Sequence, residues 1–284
     1  RYFRRREVHS GQRRPAISYP VSIGKTMTPE TALSTLRDQA PLVQCITNYV
    51  AMNIAANVVL AAGASPAMVH ATEEIPEFTP VAGALTINIG TLSETWLSAM
   101  KLAAQTAQGG NIPWVLDPVA HFISDYRRRA ATDLVALQPA IIRGNASEIL
   151  ALAGVAGSGK GADSGDAVEA AEDAAKSLAR TSGAAVAVTG PVDFLTDGAR
   201  TARVAGGSAL MPKVTALGCS LTALTGAYAA VTPPFEAARA ALAHFAMAGA
   251  EAEKQASGPG SFQLHFLDAL ANVQPADLEK AVLI

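Results

Sequence analysis

The chain has only two cysteines, Cys45 and Cys219, too few for a disulfide framework and wrongly spaced for the C-x-x-C pairs of a zinc site. A reducing compartment suits them, and a cytoplasmic location is expected. Aromatic residues are scarce at 5% while apolar residues reach 50%, much of it alanine, so closely packed helices and strands are expected rather than an aromatic-rich binding surface. No sign of charge dominates. Twenty-two Lys plus Arg face 24 Asp plus Glu, which leaves no global field to gather nucleic acid or acidic lipid. Long hydrophobic runs are also missing: the stretch from Val50 to Ala64 is broken by Asn53 and Asn57 and cannot span a bilayer. No internal repeat is visible. The Walker A pattern is absent as well, since Gly157-Ser-Gly-Lys-Gly161 lacks its spacing and its trailing Ser or Thr.

Residues 1–26 carry six arginines and one acid, Glu7. A basic nucleic-acid arm and an organelle transit peptide compete here with the reading we favour, a disordered extension upstream of a start at Met27. The rest, 27–284, has the length of one large α/β domain.

From Thr28-Pro29, an N-cap followed by Pro at the first helical position, short apolar runs alternate with amphipathic segments. Strands are predicted at Pro41 to Ile46, Ala67 to Val69, Ala84 to Ile89, Trp114 to Leu116, Ala140 to Ile142 and Ala184 to Val188. Helices are predicted at Ala51 to Ala62, Glu94 to Ala107, Arg127 to Ala136, Ala146 to Ala153 and Asp166 to Arg180, with three helical segments after Gly226. Phe194 to Thr196 and Ala202 to Val204 read as a hairpin across Asp197-Gly198. Gly154 to Gly165 is the one small-residue loop long enough to move. Continuously apolar strands alternating with helices imply a mostly parallel sheet covered on both faces.

The run from Lys213 to Gly226, with Leu217-Gly-Cys219 entering a small-residue helix, has the form of an anion site. First-turn amides lack intrahelical partners and the macrodipole adds positive charge; the candidate donors are those of Ala216, Leu217, Gly218 and Cys219. A lone Gly-Cys before an apolar helix is equally the pattern of a buried structural cysteine. The helix terminus lowers the thiol pKa and burial raises it, which leaves the protonation of Cys219 open. In parallel α/β sheets ligands bind beyond the carboxyl ends of strands, where five polar clusters fall: Thr47-Asn48-Tyr49, Asn88-Ile-Gly90-Thr91, Asp117-Pro118, Arg143-Gly144-Asn145 with Glu148, and Thr189-Gly190. Each has an ordinary turn or cap reading, and Glu148 suits a capping box with Asn145. For a nucleotide at this edge, Arg143 offers a permanent cation. Asp117 and Glu148 offer carboxylates suited to Mg2+ held through water and phosphates.

Taken in order, Cys45-Ile-Thr-Asn-Tyr-Val-Ala-Met52-Asn53, Gly63-Ala-Ser-Pro66, Asn88-Ile-Gly-Thr91, Asp117-Pro-Val119, Arg143-Gly-Asn-Ala-Ser-Glu148, Val188-Thr-Gly190, Lys213-Val-Thr215 through Gly218-Cys219, and Gly258-Pro-Gly-Ser-Phe262 resemble the hydroxyethylthiazole kinase family. That resemblance implies a ribokinase-like three-layer α/β/α fold and ATP- and magnesium-dependent phosphorylation of the primary alcohol of 5-(2-hydroxyethyl)-4-methylthiazole, in thiamine salvage. It also implies a homotrimer with sites between subunits. Carried over by position, it implies thiazole contacts at Met52, Asn48 and Ala216, ATP contacts at Arg143 and Thr189, magnesium at Asp117 and Glu148, and an anion hole at Gly218 and Cys219. Many ribokinase-like relatives have aspartate as general base at the Cys219 position, so the thiol is expected to orient the alcohol as much as deprotonate it.

Two departures from the family pattern stand out. Ala216 replaces the first glycine of Gly-x-Gly-Cys, which stiffens the loop if φ there is positive and costs nothing if φ is negative. Ala120-His121 follows Asp117-Pro-Val where a glycine is usual. His121 is read either as an extra phosphate donor or, the reading we favour, as an exposed cover of the loop. A hydroxymethylpyrimidine or pyridoxal type of kinase is disfavoured by the Asn48 to Asn53 segment and the Arg143 to Glu148 run. A nonenzymatic thiazole- or nucleotide-binding homologue is the third reading.

Overall fold

Period-two alternation along the strands divides the apolar residues between two faces of one sheet. The computed structural model describes residues 27–155 and 165–283. Residues 1–26, the Gly157 to Gly161 run and most of the Gly154 to Gly165 loop lie outside the described residues. Strands β1 (Leu42–Ile46), β2 (Ser65–Ala67), β3 (Ala84–Asn88), β4 (Trp114–Asp117), β5 (Ile141–Asn145), β6 (Ala185–Thr189), β7 (Val192–Thr196), β8 (Thr201–Ala205) and β9 (Val282–Leu283) form a single sheet in the order β2-β1-β3-β4-β5-β6-β7-β8-β9. Pairings from β2 through β6 are parallel; the last three are antiparallel.

Val43, Cys45, Val115, Ile141, Ala185 and Ala187 face one cluster of helices, α1 (Pro29–Gln39), α2 (Met52–Ala62), α8 (Leu217–Ala229), α9 (Pro234–Glu253) and α10 (Pro259–Asn272). Their neighbours Leu85, Ile87, Trp114, Leu116, Ile142, Val186 and Val188 face α3 (Ile75–Phe78), α4 (Glu94–Gly109), α5 (Asp125–Val135), α6 (Ala146–Leu152) and α7 (Gly165–Ser182). The result is three layers, helix on sheet on helix.

Among the described residues, side-chain caps start four helices: Thr28 caps α1, Ser93 α4, Ser124 α5 and Asn145 α6. Helix α8 crosses the sheet with almost no side chain at Gly226. A Cβ there would lie 2.2 Å from Thr86 Cγ2, so glycine sets the helix-to-sheet distance.

The structure moves β2 two residues upstream of its predicted place, to Ser65–Ala67, where it pairs with Leu42 to Gln44. Pro66 is tolerated because β2 is an edge strand and its missing N–H breaks no ladder; Val69 instead gives its carbonyl to Gln44 Nε2 at 3.0 Å. The hairpin turn holds four residues rather than two, with Asp197 Oδ1 accepting the amides of Ala199 and Arg200. Helix α3 and strand β9 have no counterpart in the prediction: the first is four residues long and the second two, too short to show a period.

Candidate active site

Consecutive strands β1 and β2 run one way across the sheet and β3 onward the other, so the order reverses beside β1 and opens a crevice at its carboxyl edge. Asn48, just past β1, and Asn88, ending β3, meet there: Asn48 Nδ2 donates to Asn88 Oδ1 at 2.8 Å. Asn88 Nδ2 in turn donates to Asp117 Oδ2 at 2.7 Å. The same oxygen accepts from Thr222 Oγ1 at 2.7 Å and from Arg143 at 3.3 Å. Arg143 also donates to Thr189 Oγ1 at 2.8 Å. Five strands and helix α8 thus share one polar network.

Asp117 is fully buried, and burial is the larger influence on its pKa. Aided by the nearby Glu148 charge and opposed by Arg143, it raises the carboxyl to about 6. Its other oxygen, Oδ1, has no hydrogen-bond partner, and neither does Arg143 Nε. Both Glu148 oxygens are engaged: Oε2 completes the capping box by accepting the Asn145 amide at 2.8 Å, and Oε1 accepts the Ala120 amide at 3.0 Å.

Helix α8 begins without a side-chain cap, at Ala216 with φ 58° and ψ 12°. The backbone is left-handed there, so this alanine takes a conformation that glycine adopts without strain. Ala120, the second position where a family glycine is missing, also has positive φ, 49°. Of the four amides expected to bind an anion, that of Leu217 turns back to the Val214 carbonyl at 3.4 Å. Among the described residues, those of Ala216, Gly218 and Cys219 meet no acceptor. Cys219 is half-buried, its sulfur 3.5 Å from Asn48 Nδ2. Burial first, then the Asp117 charge, push its pKa up, against the amides of Asn88 and Asn48. The group is a neutral thiol at neutral pH.

A cleft of about 350 Å³ gathers Asp117, Arg143, Glu148, Ala216, Gly218 and Cys219, with Val119, Asn145 and the Met211 to Thr215 turn as further walls. A Cβ on Gly218 would come within 3.4 Å of Arg143 Nη2, so the guanidinium lies against the first turn of α8. Asn48 and Thr189 reach the cleft through Cys219 and Arg143. Met52 opens α2 and packs with the helices on the other side of the sheet, outside this cleft. His121 is buried, not exposed, with Nδ1 3.1 Å from the Pro118 carbonyl; burial lowers its pKa. It props the loop from beneath.

Three contributors went unread in the sequence. Thr222 is one helical turn past Cys219 and so on the same face of α8, and that spacing was the available signal. Asp193 accepts the Gly190 amide at 2.9 Å and fixes the turn after β6. Arg127 donates to the carbonyls of Ile89 at 2.8 Å, Val119 at 3.0 Å and Gly90, tying two strand-end loops together. A larger hollow of about 780 Å³ lies between α9, α10 and the C-terminal turn. Its Lys254–Glu251 and Lys280–Asp277 pairs satisfy one another, and it contains none of these strand-end groups.

Residues 33–276 match the hydroxyethylthiazole kinase family model. The chain belongs to the hydroxyethylthiazole kinase family. A hydroxyethylthiazole kinase of Roseobacter denitrificans is 70% identical over 90% of this chain and 100% of its own length. Among solved structures, a hydroxyethylthiazole kinase from Pyrococcus horikoshii aligns with a TM-score of 0.84 at 38% identity, covering 90% of this chain and 97% of that one. A ribokinase-like superfamily protein from Enterococcus faecalis aligns at 0.63 with 12% identity, covering 95% and 91%; it shares the fold. The three layers are the ribokinase-like α/β/α arrangement.

Proposed function

We propose that this member of the family phosphorylates the primary hydroxyl of 5-(2-hydroxyethyl)-4-methylthiazole with ATP and Mg2+, in thiamine salvage, and that residues 27–284 form the catalytic unit. The observation that carries the assignment of roles is the meeting of Arg143, Asp117, Cys219 and the uncapped start of α8 in one cleft. Among the described residues no three His, Cys, Asp or Glu side chains could cage a metal ion. The unpartnered Asp117 Oδ1, backed by Glu148, fits magnesium held by one or two carboxylates with water and phosphate. When bound, magnesium neutralises phosphate charge.

Arg143, steered by Asp117 and Thr189, binds the polyphosphate of ATP. The Gly218 and Cys219 amides stabilise charge on the transferred group. Asn48 approaches the alcohol from the β1 side and Ala216 from the α8 side, while Met52, outside this cleft, is left for the thiazole ring in a site shared between subunits. Phosphoryl transfer passes through a loose transition state in which positioning dominates. A neutral Cys219 thiol therefore serves by aligning the hydroxyl. A homotrimer and a cytoplasmic location complete the proposal; Tyr49 and Val50, 64% and 56% exposed beside the crevice, offer apolar surface to a second copy, and no described helix is long and apolar enough to cross a membrane.

Incubating the protein with ATP, Mg2+ and the thiazole alcohol should yield the phosphate ester. No ester at high enzyme concentration refutes the assignment, and turnover of hydroxymethylpyrimidine in its place would favour the neighbouring kinase type. Arg143→Ala should weaken ATP binding in calorimetric titration while sparing the thiazole; the reverse would remove Arg143 from the nucleotide site.

A further inference from the structure

Two buried carboxamides stand between Asp117 and Cys219, and backbone donors fix the orientation of each. Asn48 Oδ1 accepts the Ala51 amide at 2.9 Å, so its Nδ2 must turn the other way. Asn88 Oδ1 accepts the Gly90 amide at 3.0 Å, so its Nδ2 points toward Asp117. A backbone N–H can only donate, which leaves no freedom to flip either amide. With both pinned, hydrogen bonds run in one sense: Asn88 Nδ2 to Asp117 Oδ2 at 2.7 Å, Asn48 Nδ2 to Asn88 Oδ1 at 2.8 Å, and Asn48 Nδ2 to Cys219 Sγ at 3.5 Å. Asn88 is 2% exposed and Asn48 4%, so water does not compete. The sulfur is then an acceptor on its buried side, and its proton and remaining lone pair are left for the cleft.

We propose that Asn88 is a positioning residue: wedged between the Asp117 carboxylate and the Asn48 carboxamide, it anchors the Asn48 Nδ2 that the Ala51 amide has already turned inward, and so sets which side of the Cys219 sulfur meets the alcohol. The kinetic part of this inference rests on the kinase reading above; the orientation of the thiol does not. Asn88 is not among the walls of the cleft; it acts on the thiol from beneath, beside Asn48. A leucine of similar shape fills its space in a buried strand but neither donates nor accepts.

The test measures two readouts in the full chain. Iodoacetamide alkylation of Cys219 at about pH 8 reports how well the sulfur's charge is supported; Cys45, fully buried with its thiol pushed up to about 11, stays silent. Asn88→Leu should slow alkylation roughly tenfold and lower kcat by a similar factor, since the Asn48 donor to the sulfur is no longer anchored. KM for ATP should stay within about twofold, because the Arg143 contacts are untouched. Gly90→Ala provides a second route: its Cβ would fall 2.6 Å from Asn48 Nδ2, displacing that amide while leaving Asn88 in place, and should give the same pair of changes. Alkylation within twofold of the unmodified protein in the folded variants overturns the proposal, as does a KM for ATP that rises as far as kcat falls. If the unmodified protein makes no phosphate ester, the alkylation rates still decide the orientation of the thiol, because they need no substrate.

Discussion

Replacing Ala216 by glycine removes one methyl group from a residue at φ 58°, ψ 12°, where an L side chain crowds the following carbonyl at a cost of about 1–2 kcal/mol. Glycine gives back about 0.4–1 kcal/mol of that, because the unfolded chain becomes freer. The net expectation is a gain of about 0.5–1 kcal/mol, or about 1–4 °C in Tm for a chain of this size. A control fixes the sign. Ala170, exposed in the interior of α7, is in right-handed backbone, and Ala170→Gly should cost about 1 kcal/mol. One chemical change should thus move stability in opposite directions at the two positions, as read by denaturant unfolding followed by circular dichroism. Ala120→Gly, at φ 49°, should side with Ala216→Gly. The backbone at Ala216 already has the conformation a glycine would supply, so kcat should change by less than about threefold. If Ala216→Gly destabilises as much as Ala170→Gly, the left-handed strain invoked here does not exist.

Gly226→Ala would press a methyl group to 2.2 Å from Thr86 Cγ2 and push α8 off the sheet; a loss of about 3 kcal/mol or more is expected in equilibrium unfolding. A second prediction concerns acid. His244 is fully buried, donates Nε2–H to the Leu270 carbonyl at 2.9 Å and accepts from the Tyr228 hydroxyl at 2.9 Å, and burial lowers its pKa to about 4. The folded state therefore binds fewer protons than the unfolded one between about pH 6.5 and 4. His244 stability is complete above that window and falls by about 3 kcal/mol as pH drops through it. Asp117 and Asp193, both raised to about 6, act oppositely over much of the same range, so the informative quantity is the difference in pH dependence between the unmodified protein and His244→Gln. That difference should vanish above about pH 7, and parallel pH curves would count against the buried neutral imidazole.

Strands were legible wherever an apolar run met a polar terminus. Trp114-Val-Leu-Asp117 and Ala185 to Thr189 need no partner to declare themselves, because a strand buried on both faces is apolar throughout. Ser65–Ala67 hid behind Pro66, since a proline argues against a strand unless the strand is known to be at an edge, and edge position is a property of the sheet order. Thr28, Ser93, Ser124 and Asn145 sit where helices start because a side-chain acceptor announces a cap. Helix α8 has none, and its start was readable only through Gly218.

The site divides along the same physical line. Asp117, Arg143, Glu148 and Cys219 could each be proposed from chemistry and strand-end position, but what each does depends on distances between segments remote in the chain. Whether Cys219 is a base or an aligner illustrates this. Helix-terminus charge and burial oppose each other, and sequence supplies no magnitudes for either. Placed beside a buried Asp117, the thiol meets a negative charge as well as desolvation, and both hold its proton on. Arg143 is drawn toward Asp117 at 3.3 Å, and its charge is shared with that carboxylate before any phosphate arrives. An incoming polyphosphate would compete with Asp117 for the guanidinium. As Arg143 turned to the phosphate, Asp117 would lose its main countercharge, and the magnesium proposed at its free oxygen would take that place. That exchange couples the charge of the buried network to occupancy of the nucleotide site, and it leaves the neutral Cys219 thiol the task of aligning the alcohol.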